Sequence, residues 1–111
     1  MSRIDGFHLT IEEDAATLLL RLEGDFDLST IGRVETALDN AIGEPTRHVV
    51  FDLRDVSFVD MAGLMTLMRA NERSHREAFD VQVVAPTGQA GRVFTLTSAH
   101  TDLTMVTLAR R

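Results

Sequence analysis

Apolar and polar residues alternate through Phe7-His8-Leu9-Thr10-Ile11-Glu12, the period-two pattern of a strand with one exposed face. A turn at Glu13-Asp14 leads to a second strand over residues 15–23, carrying Leu18-Leu19-Leu20-Arg21-Leu22. Gly24-Asp25-Phe26-Asp27 reads as a corner. The period then changes. Ile31, Val34, Ala37, Leu38, Ala41 and Ile42 recur at helical spacing, so a helix is expected over residues 30–42. Ser29 or Thr30 can cap it, and Gly43 followed by Pro45 stops it.

The nearly continuous apolar run of residues 48–53 marks a central strand covered on both faces. A short polar corner follows, and Asp60 caps a helix over residues 61–76. Met61, Leu64, Leu67, Met68 and Asn71 fall on one side of that helix; Arg69, Arg73 and Arg76 form a basic stripe on another. Val81-Gln82-Val83-Val84-Ala85 is a further strand, halted by Pro86. Thr87 or Gly88 opens a weaker helix to residue 97 that carries Ala90, Val93, Phe94 and Leu96. Residues 103–108 can add a last strand or a short helix. Strands alternating with helices imply crossover connections and a mostly parallel sheet. The opening hairpin adds an antiparallel edge. The expected fold is α/β, with a mixed sheet of about 4–5 strands covered by about 3–4 helices.

Composition narrows the chemistry. The 111 residues suit one domain with a single core, spanning 1–111. The chain is 44% hydrophobic and 25% charged, ordinary for a folded protein. Without cysteine it has no disulfide and no thiolate nucleophile or metal ligand. All 11 basic residues are arginine, which excludes a Walker A lysine and Schiff-base chemistry. A net charge of −6 argues against nucleic acid, and six aromatics, all Phe, argue against a base-stacking platform. Met1 is followed by polar Ser2-Arg3, and no apolar run approaches the roughly 20 residues of a membrane span. The expectation is a cytoplasmic protein without membrane insertion.

The densest candidate chemistry lies in Val49-Val50-Phe51-Asp52-Leu53-Arg54-Asp55-Val56-Ser57-Phe58-Val59-Asp60-Met61-Ala62-Gly63-Leu64. Strand, corner and helix start follow one another here. A helix start presents unpaired N–H groups and partial positive charge, which suit a phosphoryl group. The first-turn residues Met61 and Ala62 carry no hydroxyl to accept one. Asp52, Asp55 and Asp60 around this corner read either as oxygen ligands for a cation or as a strand-end residue, a turn acid and a cap. The absent lysine weighs against the first. His8, His48, His75 and His100 are widely separated and lack metal-ligand spacing, so no metal and no cofactor is expected. Gly88-Gln89-Ala90-Gly91 reads as a turn and helix start. The arginine stripe is a solvated face or a docking surface for an acidic partner. Met61 and Met65, beside Ala62, can form an adaptable apolar contact patch or fill the core.

Leu20-Arg21-Leu22-Glu23-Gly24-Asp25-Phe26-Asp27 resembles the second strand and corner of a known family. The stretch from Val49 to Leu64 resembles its strand, loop and D-S-S/T-G-L motif. Val83-Val84-Ala85-Pro86 and Val93-Phe94-Thr95-Leu96-Thr97-Ser98-Ala99 resemble its last strand and closing helix. The family is the STAS domain, the fold of bacterial anti-sigma factor antagonists. The resemblance implies a non-enzymatic switch that binds an anti-sigma factor, itself a serine kinase of the GHKL type, and so frees a sigma factor for transcription. Phosphorylation of the serine before the motif glycine releases the partner, because a phosphoryl group brings about −1.5 to −2 charges into a packed surface.

On this chain the resemblance places Asp60 at the motif aspartate, Gly63 at the motif glycine, Ala62 at the phosphoacceptor and Met61 at the preceding hydroxyl position. Residue 62 cannot be phosphorylated. The partner surface implied comprises Asp27, Ser29, Thr30, Asp60, Met61, Ala62, Gly63 and Met65. Two alternatives stay open. Phosphorylation can fall on another hydroxyl near the same corner: Ser57, Thr66, Ser29 or Thr30. The domain can also be an adaptor in a stress-signalling or transporter-associated assembly. Oligomeric state, monomer or homodimer, is left open.

Overall fold

The protein is described by a computed structural model for residues 6–99 and 101–108, which leaves His100 outside the described residues. The first two strands, β1 (His8–Asp14) and β2 (Thr17–Phe26), pair antiparallel. Asp14 pairs with Thr17, so the turn is Ala15-Ala16 rather than Glu13-Asp14. Ala15 sits at φ 53°, as tight two-residue hairpins require.

Helix α1 (Ile31–Ala41) leads to β3 (His48–Val59), α2 (Met61–Glu77) leads to β4 (Asp80–Val84), and α3 (Gly88–Thr97) leads to β5 (Thr104–Met105). Strand order follows chain order, β1-β2-β3-β4-β5, with every pairing after the first parallel. The mixed five-stranded sheet with three helices matches the expectation from the sequence. Of residues 103–108, only Thr104 and Met105 are strand.

The strands pass the expected corners. β2 continues to Phe26 and β3 to Val59, with Glu23, Gly24, Asp25 and Phe26 still pairing with Asp55, Val56, Phe58 and Val59. The register shifts between Arg21 and Glu23 and between Gly24 and Asp25. Gly24 sits at φ 96° with its α-carbon against the Gly6 carbonyl; a β-carbon there would lie 1.8 Å from that oxygen. Only glycine fits such an approach. The polar corner expected after Leu53 is therefore two strands running on beyond β4, which pairs with β3 only as far as Asp52.

Leu18, Leu20 and Leu22 on β2, with Val49, Phe51 and Leu53 on β3, point into one core. Val34 and Leu38 of α1, Leu64, Leu67 and Ala70 of α2, and Phe94 of α3 complete it. The arginine stripe of α2 is a largely solvated face, with Arg69 and Arg76 exposed and Arg73 half-buried, and two of its members also reach neighbouring acids. Arg69 pairs with Glu35 at 2.8 Å, and Arg73 pairs with Asp39 at 2.6 Å and Glu77 at 3.0 Å. The first two ion pairs tie α2 to α1. Exposed pairs of this kind contribute about 0.2–1 kcal/mol each, so they orient the helices more than they hold them.

Candidate functional site at the start of helix α2

Asp60 organises the site. Its Oδ1 accepts the Gly63 N–H at 2.9 Å, capping α2 as expected. Its Oδ2 accepts the Leu28 N–H at 3.1 Å, and its own N–H donates to the Phe26 carbonyl at 3.3 Å. The side chain thus joins the helix start to Leu28 in the corner, and the backbone joins it to the end of β2. Gly63 allows the close approach: a β-carbon there would lie 2.4 Å from the Phe26 carbonyl oxygen.

The 27–30 corner is braced from within. Asp27 accepts the Ser29 N–H at 3.0 Å and its hydroxyl at 2.7 Å. The Thr30 hydroxyl donates to the Asp25 carbonyl at 2.8 Å and accepts the Asp27 N–H at 3.0 Å. Neither Ser29 nor Thr30 gives α1 a side-chain cap, contrary to the expectation; both hydroxyls close the corner instead. Thr30 and Gly63 are buried, so they support the surface from below. Ala62 is half-buried, and Ser29 is exposed.

What the corner presents is apolar. Leu28 is 73% exposed, Met61 62% and Met65 46%. The helical spacing had placed Met61 and Met68 beside Leu64 and Leu67. In the structure the two leucines are buried, whereas Met68 remains 39% exposed. The inward face runs through Gly63, Leu64, Thr66, Leu67, Ala70 and Ser74. Leu28 escaped the sequence reading because it sits alone in a polar corner. Its one signal was a large aliphatic residue where turn residues were expected. Phe58, paired opposite Asp25, is also half-exposed at this end of the sheet.

The three aspartates do not converge. Asp52 is 2% exposed and lies mid-strand on β3, on the face opposite Phe51. Its Oδ1 accepts the Arg54 N–H at 3.1 Å and Nε at 3.0 Å; its Oδ2 accepts Arg54 Nη2 at 2.8 Å and Arg21 Nε at 3.5 Å. Arg21 continues to Glu12 at 3.1 Å, and Arg54 donates to the Leu108 carbonyl at 3.1 Å. Burial pushes the Asp52 carboxyl up, but hydrogen bonds and charge from Arg54, with help from Arg21, outweigh it. The net pKa lies below the ordinary 3.8. Asp55 is exposed on the strand, and Asp60 is a cap. No cluster of three or more His, Cys, Asp or Glu able to hold a metal occurs among the described residues.

A family model of the STAS domain matches residues 8–108. The chain belongs to the STAS domain family. Its fold is similar to that of an anti-sigma factor antagonist from Mycobacterium paratuberculosis, at 23% identity and TM-score 0.72 over 94% of this chain and 90% of that one. It is similar also to the anti-sigma factor antagonist SpoIIAA in its unphosphorylated form, at 16% identity and TM-score 0.70 over 92% of this chain and 90% of that one. The murine Slc26a9 anion transporter in its inward-facing state matches 82% of this chain with 16% of its own length, at 14% identity and TM-score 0.65. No curated protein matches the chain.

Within this STAS domain the alternative hydroxyls differ in access. Ser57 is exposed. Thr66 is buried; its hydroxyl donates to the Ala62 carbonyl at 3.0 Å and receives Arg69 Nη2 at 3.3 Å. His8 and His75 are exposed, and His48 pairs with Asp80 at 3.0 Å, each far from the α2 start in sequence or engaged at a strand end. Among the described residues, no helix is long and apolar enough to cross a membrane.

Proposed function

We propose that this STAS domain is a non-enzymatic regulator of the anti-sigma factor antagonist kind. It binds an anti-sigma factor or serine kinase of the GHKL type through the 27–30 corner and the 60–65 helix start. Residues 1–111 act as one STAS domain in the cytoplasm, and phosphorylation at position 62 plays no part. The observation that carries this reading is the apolar surface of Leu28, Met61 and Met65 held out by a braced corner. Exposed apolar side chains rimmed by polar ones are the usual mark of a protein contact. Asp27 and Asp60 brace the same corner and Asp25 lies near the end of β2 that leads into it, which favours a partner with a basic rim. The likeness to two anti-sigma factor antagonists supports the partner class.

Affinity capture from the native cell tests it, comparing wild type with Ala62→Ser and Ala62→Asp. Wild type retains a GHKL-type kinase, Ala62→Ser retains it until ATP is added, and Ala62→Asp loses it. Capture of no such kinase by wild type contradicts the reading. The likeness to Slc26a9 favours one second reading, a STAS adaptor in a transporter assembly. In that case capture brings down a membrane transporter instead.

A further inference from the structure

Helix α2 sorts its large apolar residues by type. The buried positions hold Leu64 and Leu67, and the exposed ones hold Met61, Met65 and Met68. Met105, on β5, is 43% exposed, so each of the methionines described lies at the surface. Methionine is ordinarily among the more buried residues. Residues 61, 65 and 68 stand four and then three apart, so they form one continuous row starting beside Ala62. The chain has no cysteine, so its thioethers are its only oxidisable sulfur.

We propose that Met61, Met65 and Met68 form a reversible oxidation switch on the contact surface, acting where the phosphoacceptor is missing. The inference rests on the binding surface proposed above. In the forward step a hydroperoxide such as hydrogen peroxide gives one oxygen atom to a thioether. The O–O bond breaks, an S–O bond forms, the sulfur loses two electrons and water leaves. The product is a sulfoxide, polar where the thioether was apolar. Thiol-dependent methionine sulfoxide reductases reverse it: two thiols become a disulfide and the oxygen leaves as water. The sulfoxide stays hydrated in the free domain, and docking against an apolar partner would strip that hydration without offering a replacement hydrogen bond. Oxidation therefore weakens the complex and leaves the fold intact, because none of the three side chains belongs to the buried core.

The test treats the full chain with hydrogen peroxide, removes the peroxide, and measures affinity for the captured GHKL-type kinase. Peptide mass mapping locates the added oxygens, about 16 Da each. The expected result is oxygen on residues 61, 65 and 68, binding weakened about tenfold or more, and an unchanged melting temperature. Treatment with both sulfoxide reductases restores binding. The triple variant Met61→Leu/Met65→Leu/Met68→Leu, whatever its own basal affinity, shows the same affinity before and after peroxide. Unchanged affinity of the sulfoxide form overturns the switch, as does equal peroxide sensitivity of the triple variant or release accompanied by unfolding. An untreated chain that binds no such kinase removes the binding surface itself, and the switch with it.

Discussion

Asp52 and Asp60 stand eight residues apart, and their surroundings are opposites. Around Asp52 the charges are hidden: a carboxylate 2% exposed is held between Arg54 and Arg21 on one face of the sheet. Around Asp60 the apolar groups are displayed: Leu28, Met61 and Met65 stand out from a corner that the carboxylate ties together. Acidity therefore does not mark the surface proposed for binding in this chain. The Asp52 network meets its own hydrogen-bonding needs and presents nothing to a ligand. The Asp60 corner spends its polar groups internally and leaves its apolar ones without a partner.

Mutations should separate these two regions, one moving stability and the other moving binding. The largest loss of stability is expected from Asp52→Ala. It strands Arg54, mostly buried, and costs about 3 kcal/mol in a denaturant titration. Affinity of the folded protein for its partner stays unchanged. Gly63→Ala comes next, because the new β-carbon meets the Phe26 carbonyl at 2.4 Å and must push the helix start away. A loss of about 1–3 kcal/mol is expected, together with weaker partner binding. Asp60→Ala removes a cap and the bond to Leu28. It costs about 1–2 kcal/mol in thermal unfolding, and affinity also drops as the corner loosens.

Acid gives a subtler view of the same contrast. The folded-state pKa of Asp52 is depressed, so its contribution is fully present above the ordinary carboxylate value of 3.8. It is lost as pH falls through the lower, folded value. Stability of wild type measured from neutral pH downwards should thus include an acid-sensitive part below about pH 4 that Asp52→Asn lacks. The smallest change in stability is expected at the displayed surface. Leu28→Asp and Met61→Asp shift unfolding by no more than about 0.5 kcal/mol, yet each weakens partner binding about tenfold or more. A large stability loss from either would mean that the patch belongs to the core.

The sequence revealed the elements where one face of each was consistently apolar. Residues 48–53 and the Leu18, Leu20, Leu22 series could hardly be read otherwise, and the order of strands and helices followed from them. It misled where that consistency fails. The outer ends of β2 and β3 run past β4 and pair only with each other, so Asp25, Ser57 and Phe58 are exposed and no alternation survives. Two register shifts disturb the pattern further. Periodicity likewise groups Met61 and Met68 with the buried Leu64 and Leu67, because an apolar residue at helical spacing carries no sign of being left outside; for Met61 it leaves contact patch and core filling both open, and the structure shows it exposed. Asp60 as a cap was legible from its place before an apolar run. Its second bond, to Leu28, joins residues 32 apart in sequence and required the fold. Asp52 reads in the sequence as a cation ligand or a strand-end acid; the structure makes it a buried mid-strand acid whose main partner, Arg54, is only two residues on, and whose second, Arg21, lies across the sheet in register on β2.

The central claim is that the surface at the start of α2 binds a GHKL-type anti-sigma kinase without phosphate transfer to residue 62. Titrating the chain with such a kinase by calorimetry, before and after prolonged incubation with ATP, tests it most directly. The account predicts the same affinity in both titrations for wild type and at least about a tenfold loss for Met61→Asp. No binding by wild type, or full affinity in Met61→Asp, would contradict it.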